Sequence, residues 1–249
     1  MRSPRLSSVI ERRLLVSYRV EPEIAARLLP PPLRPQRVEG WAVAGICLIR
    51  LGRIRPAWLP GVPGLRSENA AHRIAVEWDG PQGPRTGVYI PRRDSGSLIA
   101  VAAGGRLFPG RQTRASFQVR ESADEFGISV VSQDDATRMS VEASVAERLT
   151  GSMLFADVDK ASEFFRCGSV GFSPSRDGTH LDGVELRTGA WRVEPLEIRG
   201  LTSSFFDDRT RFPKGTATAD CALLMRDVPA TWHPVPPLRA GGPALTRAR

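Results

Sequence analysis

The sequence predicts a single, mostly-β domain, and three observations support this. The 249 residues contain many short apolar segments separated by clusters of Gly, Pro and Asp, the punctuation typical of β-strands and turns. Many of these segments alternate with the two-residue period of a strand that has one buried face. No internal repeat divides the chain, and the proline-rich stretches are too short to be linkers between domains.

Ten segments carry the strand pattern. They are residues 13–20, 40–51, 71–78, 87–91, 98–102, 115–121, 126–132, 138–145, 191–198 and 216–225. In the third of them, His72, Ile74, Val76 and Trp78 share one face, and Arg73 lies on the other. The pattern therefore predicts that His72 points into the interior of the sheet structure.

Two segments are predicted to be helices. Residues 21–29 have Pro22 in the first turn, where the missing N–H costs nothing. Residues 157–167 begin at Asp157, a good N-cap, and end before Gly168, a good terminator. Two short helices beside ten strands keep the predicted class mainly β.

We expect residues 1–235 to form one domain and residues 236–249, which are rich in Pro, Gly and Arg, to be a disordered C-terminal tail. The longest strongly apolar run, residues 41–49, is far shorter than the roughly 20 residues of a membrane-spanning helix. The N-terminus lacks the pattern of a secretory signal. Cys47, Cys167 and Cys221 are isolated and odd in number, which favours a reduced, cytoplasmic protein.

The net charge of +8 is concentrated in residues 1–120, which hold 20 arginines, no lysine and 8 acidic residues. This basic half predicts an anion-binding surface. The arginines are scattered and form no run, helical stripe or recognisable nucleic-acid motif. Binding of nucleic acid by the basic surface is therefore kept as an alternative only.

Several catalytic chemistries have no support in the sequence. The three histidines, His72, His180 and His233, stand far apart, with no Cys or second His at a metal-ligand interval. No Gly-x-Ser-x-Gly elbow, phosphate loop or Gly-x-Gly-x-x-Gly motif occurs. The sequence predicts neither a bound metal nor a cofactor.

Four motifs in order resemble a known family. The segments are YRVEPEIAARLLPPPL at 18–33, GWAVAGICLI at 40–49, GVYIPRRDS at 87–95 and GGRLFPG at 104–110. Together they resemble the acetoacetate decarboxylase-like superfamily, and more closely its branch of uncharacterised bacterial proteins than the decarboxylases themselves. The resemblance covers roughly residues 10–145. It implies a cone-shaped, largely antiparallel β-barrel around one small-molecule cavity.

The decarboxylases of this superfamily form a Schiff base through a lysine made nucleophilic by its surroundings. The resemblance places Gly110 at that lysine and Arg111 at the lysine beside it. The chain has two lysines, Lys160 on a predicted helix and Lys214 in a turn, and neither is an obvious substitute. The resemblance therefore implies the fold without the Schiff-base chemistry.

His72 and Glu68 are the candidate catalytic residues. His72 on an inward strand face has a side chain suited to acid or base catalysis, with Glu68 four residues earlier to orient it. The alternatives are that His72 is a core histidine and that Glu68 is a solvated strand end.

The candidate ligand-binding residues lie around the inferred cavity mouth. They are Arg92, Arg106, Arg111, Tyr89 and Phe108. Arginines bind a carboxylate bidentately, and the aromatic rings would form the wall. A salt bridge of Arg92 with Asp94 is the competing interpretation.

The predicted function is binding of a small, anionic, oxo-acid-like molecule, without Schiff-base decarboxylase activity. If there is turnover, a lysine-independent lyase, hydratase or isomerase is the alternative. The sequence leaves a homo-oligomer open and predicts no membrane partner.

Overall fold

The computed structural model describes residues 4–103, 110, 112–175 and 177–239. Within them, thirteen strands and three helices confirm the predicted mainly-β class. The strands are β1 (Leu6–Val20), β2 (Arg34–Pro35), β3 (Arg37–Val38), β4 (Trp41–Pro56), β5 (Leu65–Gly80), β6 (Gly83–Ser95), β7 (Gln112–Glu121), β8 (Glu125–Ser132), β9 (Arg138–Val145), β10 (Val170–Pro174), β11 (His180–Thr188), β12 (Glu194–Ser203) and β13 (Ala217–Arg239). The helices are α1 (Pro22–Arg27), α2 (Leu98–Ala103) and α3 (Val158–Cys167).

Strand pairing closes part of the sheet into a barrel-like ring. Around it, β1 pairs with β4, β4 with β5, β5 with β6, β6 with β10, β10 with β11, β11 with β13, and β13 with β1. All these pairings are antiparallel except that of β6 with β10. Outside the ring, β7, β8, β9 and β12 connect β6 back to β13 as a second wall, while the short strands β2 and β3 pair with β5 and β4.

The two faces of the central strands bury two separate apolar clusters. Leu14 and Ile46 belong to the first cluster, which also contains the apolar side chains of β8 and β9. Leu15 and Cys47, one residue further along the same strands, belong to the second cluster, which contains Phe165 of α3. Because successive side chains of a strand point to opposite faces, neighbouring residues of β1 and β4 serve different interiors.

The helix predictions are confirmed for α1 and α3. Pro22 is the first residue of α1. The side chain of Asp157 caps α3 by accepting a hydrogen bond from the backbone N–H of Lys160 at 2.8 Å. The strand predicted at 98–102 is wrong, because the chain forms α2 there. The Ser97 hydroxyl accepts a hydrogen bond from the backbone N–H of Ala100 and starts the helical turn.

The C-terminal half contains two strands that the sequence pattern did not predict, β10 and β11. Strand β13 is longer than predicted, since Leu238 and Arg239 still pair with β11. The paired strand therefore extends into the segment 236–249 that the sequence assigns to a tail, and residues 240–249 lie outside the described ones. No helix in the described part of the chain is long and apolar enough to cross a membrane.

Candidate functional site

One cavity lies within the ring, on the face of the second apolar cluster. Its volume is about 100 Å³, and every strand of the ring contributes to its wall together with β7 and α3. Two further concavities on the outside of β1 are more open to solvent. One of them is lined by Glu11 and Arg66, which are already ion-paired. The enclosed cavity is the better candidate site.

Arg73 projects from β5 into this cavity. It is 6 % exposed, and its guanidinium carbon lies 4.6 Å from the ring centre of Phe165. No hydrogen bond or ion pair joins Arg73 to any other described residue. Burial, opposed by Cys47 and reinforced by the charge of Arg13, lowers the pKa of Arg73 to about 10. The guanidinium is therefore charged at neutral pH and has its donors unused.

Arg13 reaches the same cavity from β1. Its Nε donates to Cys47 Sγ at 3.4 Å, and its guanidinium carbon lies 6.0 Å from the ring centre of Trp191. Arg13 Nη1 and Trp191 Nε1 are both buried without a hydrogen-bond partner among the described residues. Buried donors are normally satisfied, so these two indicate a place for an acceptor.

Arg93 enters from β6. Its Nε donates to Ser173 Oγ at 3.1 Å, whereas its Nη2 is buried and has no partner in the described part of the chain. Burial, opposed by Cys47, lowers the pKa of Arg93 to about 10. Gln112 pairs with Arg93 across the strands, and its side-chain oxygen is also buried and unpaired.

These three guanidinium groups have no carboxylate counterion among the described residues. None of them forms an ion pair among the described residues, and the remaining residues include no Asp or Glu. Asp94 lies at the cavity wall, but its carboxylate is bonded to Arg92. Burying charge without a partner is costly, so a cavity with three such groups is suited to an anionic ligand.

Gly110, which the resemblance aligns with the Schiff-base lysine, lies beside this cavity. It has a positive φ of 80°, and a Cβ placed on it would lie 2.5 Å from the Cβ of Ser173. Ser173 is the residue that accepts the hydrogen bond from Arg93. Position 110 is therefore close to the wall of the site but has no room for a side chain.

His72 and Glu68 lie on the opposite face of β5 from Arg73. His72 is 1 % exposed, stacks on Phe205 with ring centres 4.4 Å apart, and neither ring nitrogen has a partner among the described residues. Burial, aided by the charges of Arg92 and Arg211, lowers the pKa of His72 to about 3.

Glu68 bonds to Arg12 and Arg50, each at 2.6 Å. It makes no hydrogen bond to His72, whose ring nitrogens are both unpaired. The structure therefore does not bring the two candidate catalytic residues together.

The predicted ligand-binding residues also lie elsewhere or outside the described chain. Arg92 binds Asp94 and Asp134 through five hydrogen bonds. Tyr89 is buried in the first cluster, where burial raises its pKa to about 12. The positions Arg106, Arg111 and Phe108 lie outside the described residues. Trp191 lines the cavity, while Trp41 packs against Arg19.

The sequence contained one unused signal for the true cavity residues. Arg13, Arg73 and Arg93 each stand on a strand two positions before a buried residue, namely Leu15, Ala75 and Ser95. The strand period places such an arginine on the same face as that inward-facing neighbour. What the sequence could not show is that all three face one space.

The fold is that of acetoacetate decarboxylase-like proteins, as the similarity to solved structures shows. The acetoacetate decarboxylase of Legionella pneumophila is 12 % identical, with 94 % of this chain and 88 % of that chain covered at a TM-score of 0.58. An acetoacetate decarboxylase-like enzyme from Sphingomonas wittichii is 13 % identical, with 96 % and 93 % covered at 0.60. The enduracididine biosynthesis enzyme MppR, complexed with pyruvate, is 15 % identical, with 97 % and 93 % covered at 0.60.

A protein-family model matches residues 9–228 of the chain. The chain belongs to the DUF2071 family of uncharacterized conserved proteins. A comparison with curated proteins finds no match. The relationship thus fixes the fold and leaves the ligand to be argued from the cavity.

Proposed function

We propose that this protein binds a small organic anion of the oxo-acid type in the ring cavity, and that Arg13, Arg73 and Arg93 supply the positive charge that attracts it. The observation that carries the proposal is the convergence of three guanidinium groups without any acidic partner from the chain. A guanidinium stays charged at physiological pH and presents paired donors to a carboxylate.

The structural neighbours support a ligand of this type. MppR has been solved with pyruvate and with the condensation product of pyruvate and imidazole 4-carboxaldehyde. Its fold is shared, although its sequence identity of about one residue in seven carries no site residue across. The cavity volume of about 100 Å³ is well below the ~300–1,000 Å³ of pockets for drug-sized ligands, which favours a short acid.

We further propose that the protein does not act through a Schiff base. The two lysines, Lys160 and Lys214, are both exposed, and neither belongs to the cavity wall. The crowding of Gly110 against Ser173 supports the same conclusion.

Calorimetry with pyruvate and acetoacetate tests the binding proposal. We expect saturable binding to the wild type and a ten- to hundredfold weaker affinity for Arg73→Met, as charge-assisted hydrogen bonds of about 1.5–3 kcal/mol are lost. Arg34→Met is the matched control, because Arg34 pairs with Asp79 on the surface. Equal affinity of the wild type and Arg73→Met would contradict the proposal that the acid binds in the ring cavity.

Borohydride reduction in the presence of acetoacetate tests the second proposal. Mass spectrometry should find Lys160 and Lys214 unmodified. A stoichiometric adduct on either lysine would show that a Schiff base forms after all.

Turnover is a distinct hypothesis, in which the bound acid undergoes a lysine-independent lyase, hydratase or isomerase reaction. Proton NMR of each bound acid over hours, with the Arg73→Met variant as blank, detects it.

Nucleic-acid binding by the basic half is a third hypothesis. It predicts a steep loss of affinity with salt, which cavity binding does not.

The free thiols of Cys47, Cys167 and Cys221 support our proposal that the protein resides in the reducing cytoplasm.

A further inference from the structure

We infer that the ligand of the cavity carries two acidic groups, as a short dicarboxylate does, and that the Arg13 and Arg93 sides of the cavity bind one group each. This inference builds on the proposed function and names the class of anion. It depends on how charge and unpaired donors are distributed around the cavity wall.

The charge of the site exceeds what one carboxylate can neutralise. Arg13, Arg73 and Arg93 bring three positive charges to one enclosed space. Their common neighbour is Cys47, which receives the hydrogen bond from Arg13 and raises the pKa of the other two. No acidic side chain of the protein pairs with them. A monocarboxylate would leave two guanidinium groups without a counterion, whereas a dianion leaves one.

The unpaired donors stand at two separate places. Arg13 belongs to β1 and Arg93 to β6, with β4 and β5 between them. Since neighbouring strands are about 4.8 Å apart, the two backbones are about 14 Å apart along the sheet. Their side chains therefore approach the cavity from different sides.

Each side has its own binding groups. On the first side, Arg13 Nη1 and Trp191 Nε1 are both buried donors without a partner in the described part of the chain. On the second side, Arg93 Nη2 is the unpaired donor, and the side-chain oxygen of Gln112 is an unpaired acceptor beside it. Arg73 enters from β5, the strand next to β6. A ligand with one acidic group could use only one of these sets.

The small cavity limits the length of the ligand. A volume of about 100 Å³ has room for an acid of roughly four or five carbons, because larger ligands take pockets of ~300 Å³ and more. The indicated class is therefore a four- or five-carbon dicarboxylate, with or without an oxo group.

Calorimetry with matched acids of equal chain length tests the inference. The pairs are succinate with butyrate, and 2-oxoglutarate with 2-oxovalerate, which differ only in the second carboxylate. We expect the dicarboxylate of each pair to bind at least about tenfold more tightly, the contribution of one set of charge-assisted hydrogen bonds. In Arg13→Gln and in Arg93→Gln, measured separately, the preference should fall to within about threefold because one side is lost.

The outcomes separate this inference from the proposed function. If monocarboxylates bind to the wild type and the second carboxylate adds nothing, the inference fails and the proposed function stands. If no acid binds to the wild type while the melting temperature shows a folded protein, both fail. If the wild type prefers dicarboxylates and both Arg13→Gln and Arg93→Gln keep that preference, the inference that Arg13 and Arg93 each bind one acidic group is wrong. The comparison of acids on the wild type needs no variant to fold.

Discussion

Arg12 and Arg13 are adjacent in the chain and have opposite electrostatic surroundings. Arg12 is 3 % exposed and bonds to Glu68 at 2.6 Å and to Glu121 at 2.7 Å. Arg50 bonds to the same two carboxylates, which completes a network of two arginines and two glutamates. Arg13, on the other face of β1, contacts a cysteine sulfur and an indole ring, and it forms no ion pair with any described residue.

The difference shows which arginines belong to the scaffold and which to the site. In the Arg12 network each positive charge has a partner, so the network joins β1, β4, β5 and β7 without needing a ligand. Arg73 is buried at a cost that no carboxylate among the described residues offsets, and buried nitrogens of Arg13 and Arg93 have no partner there either. Charge without a partner is typical of a site where function is favoured over stability.

The largest effect is expected from removing both acids of the Arg12 network. Glu68→Ala combined with Glu121→Ala leaves Arg12 buried and unpaired, so the free energy of unfolding should fall by about 3–5 kcal/mol. Urea denaturation measures this change. Glu125→Ala is the control, since its exposed pair with Arg199 should contribute less than about 1 kcal/mol. If the double variant and Glu125→Ala lowered the free energy of unfolding equally, the buried Arg12 network would contribute no more to stability than an exposed ion pair does.

The adjacent arginines themselves give the second test. Arg13→Met should weaken succinate binding ten- to hundredfold with little loss of stability, because its unused donors serve one of the ligand's two acidic groups. Arg12→Met should leave succinate affinity unchanged and lower the free energy of unfolding by about 1–3 kcal/mol, because its bonds serve the fold. Calorimetry and denaturation of both variants decide. If Arg12→Met weakened ligand binding and Arg13→Met lowered stability instead, the binding site would lie on the Arg12 face of β1.

A third prediction concerns pH and the face that carries the Arg12 network. His72 has its pKa lowered to about 3 in the folded protein from an ordinary value of 6.5. The unfolded chain therefore binds the proton more tightly, and stability is lost as pH falls from 6.5 toward 3. At about 1.4 kcal/mol per pH unit, the free energy of unfolding should fall by about 2 kcal/mol between pH 6.5 and pH 5.

The variant His72→Gln isolates this effect, because the carboxylates of the protein contribute equally to both pH profiles. Its loss of stability over the same interval should be smaller by about the same 2 kcal/mol. Identical pH profiles for the two proteins would show that His72 is solvated or hydrogen-bonded in solution.

The smallest expected effect has the opposite sign. Arg73→Met should raise the free energy of unfolding by about 1 kcal/mol, because a buried and unpaired charge is replaced by a shorter apolar side chain. Thermal denaturation without ligand measures it. A clear destabilisation would indicate that Arg73 makes its main contribution by packing on Phe165.

Much of the fold could be predicted because it follows from local patterns. The two-residue period located most strands of the first half, and Pro22 and Asp157 marked two helix starts. The strand expected at 98–102 failed because Ser97 starts a helix in a segment whose composition suits either state. Strands β10 and β11 were missed because glycine and polar residues, such as Gly171 and Asp182, interrupt their apolar pattern.

The candidate site was less accessible to prediction. Alternation correctly placed His72 and Arg73 on opposite faces of one strand, and His72 is indeed buried. The sequence does not say which face encloses a cavity, because both faces of a central strand in this fold are covered. The chemistry of His72 favours the His72 face as the site, whereas the structure has the cavity on the Arg73 face.

By itself, the sequence determined the secondary-structure class, the family and the charge available for binding. Each is a local or additive property of the chain: side-chain period, ordered motifs and a net charge of +8. Only the tertiary structure decided which arginines are neutralised. That depends on strand order, which brings Glu68 and Glu121 to Arg12 across 56 and 109 residues. It leaves Arg13, one residue further, facing a cavity in which no described carboxylate pairs with it. Electrostatic energy depends on distance in space, and distance in space is set by the closing of the ring.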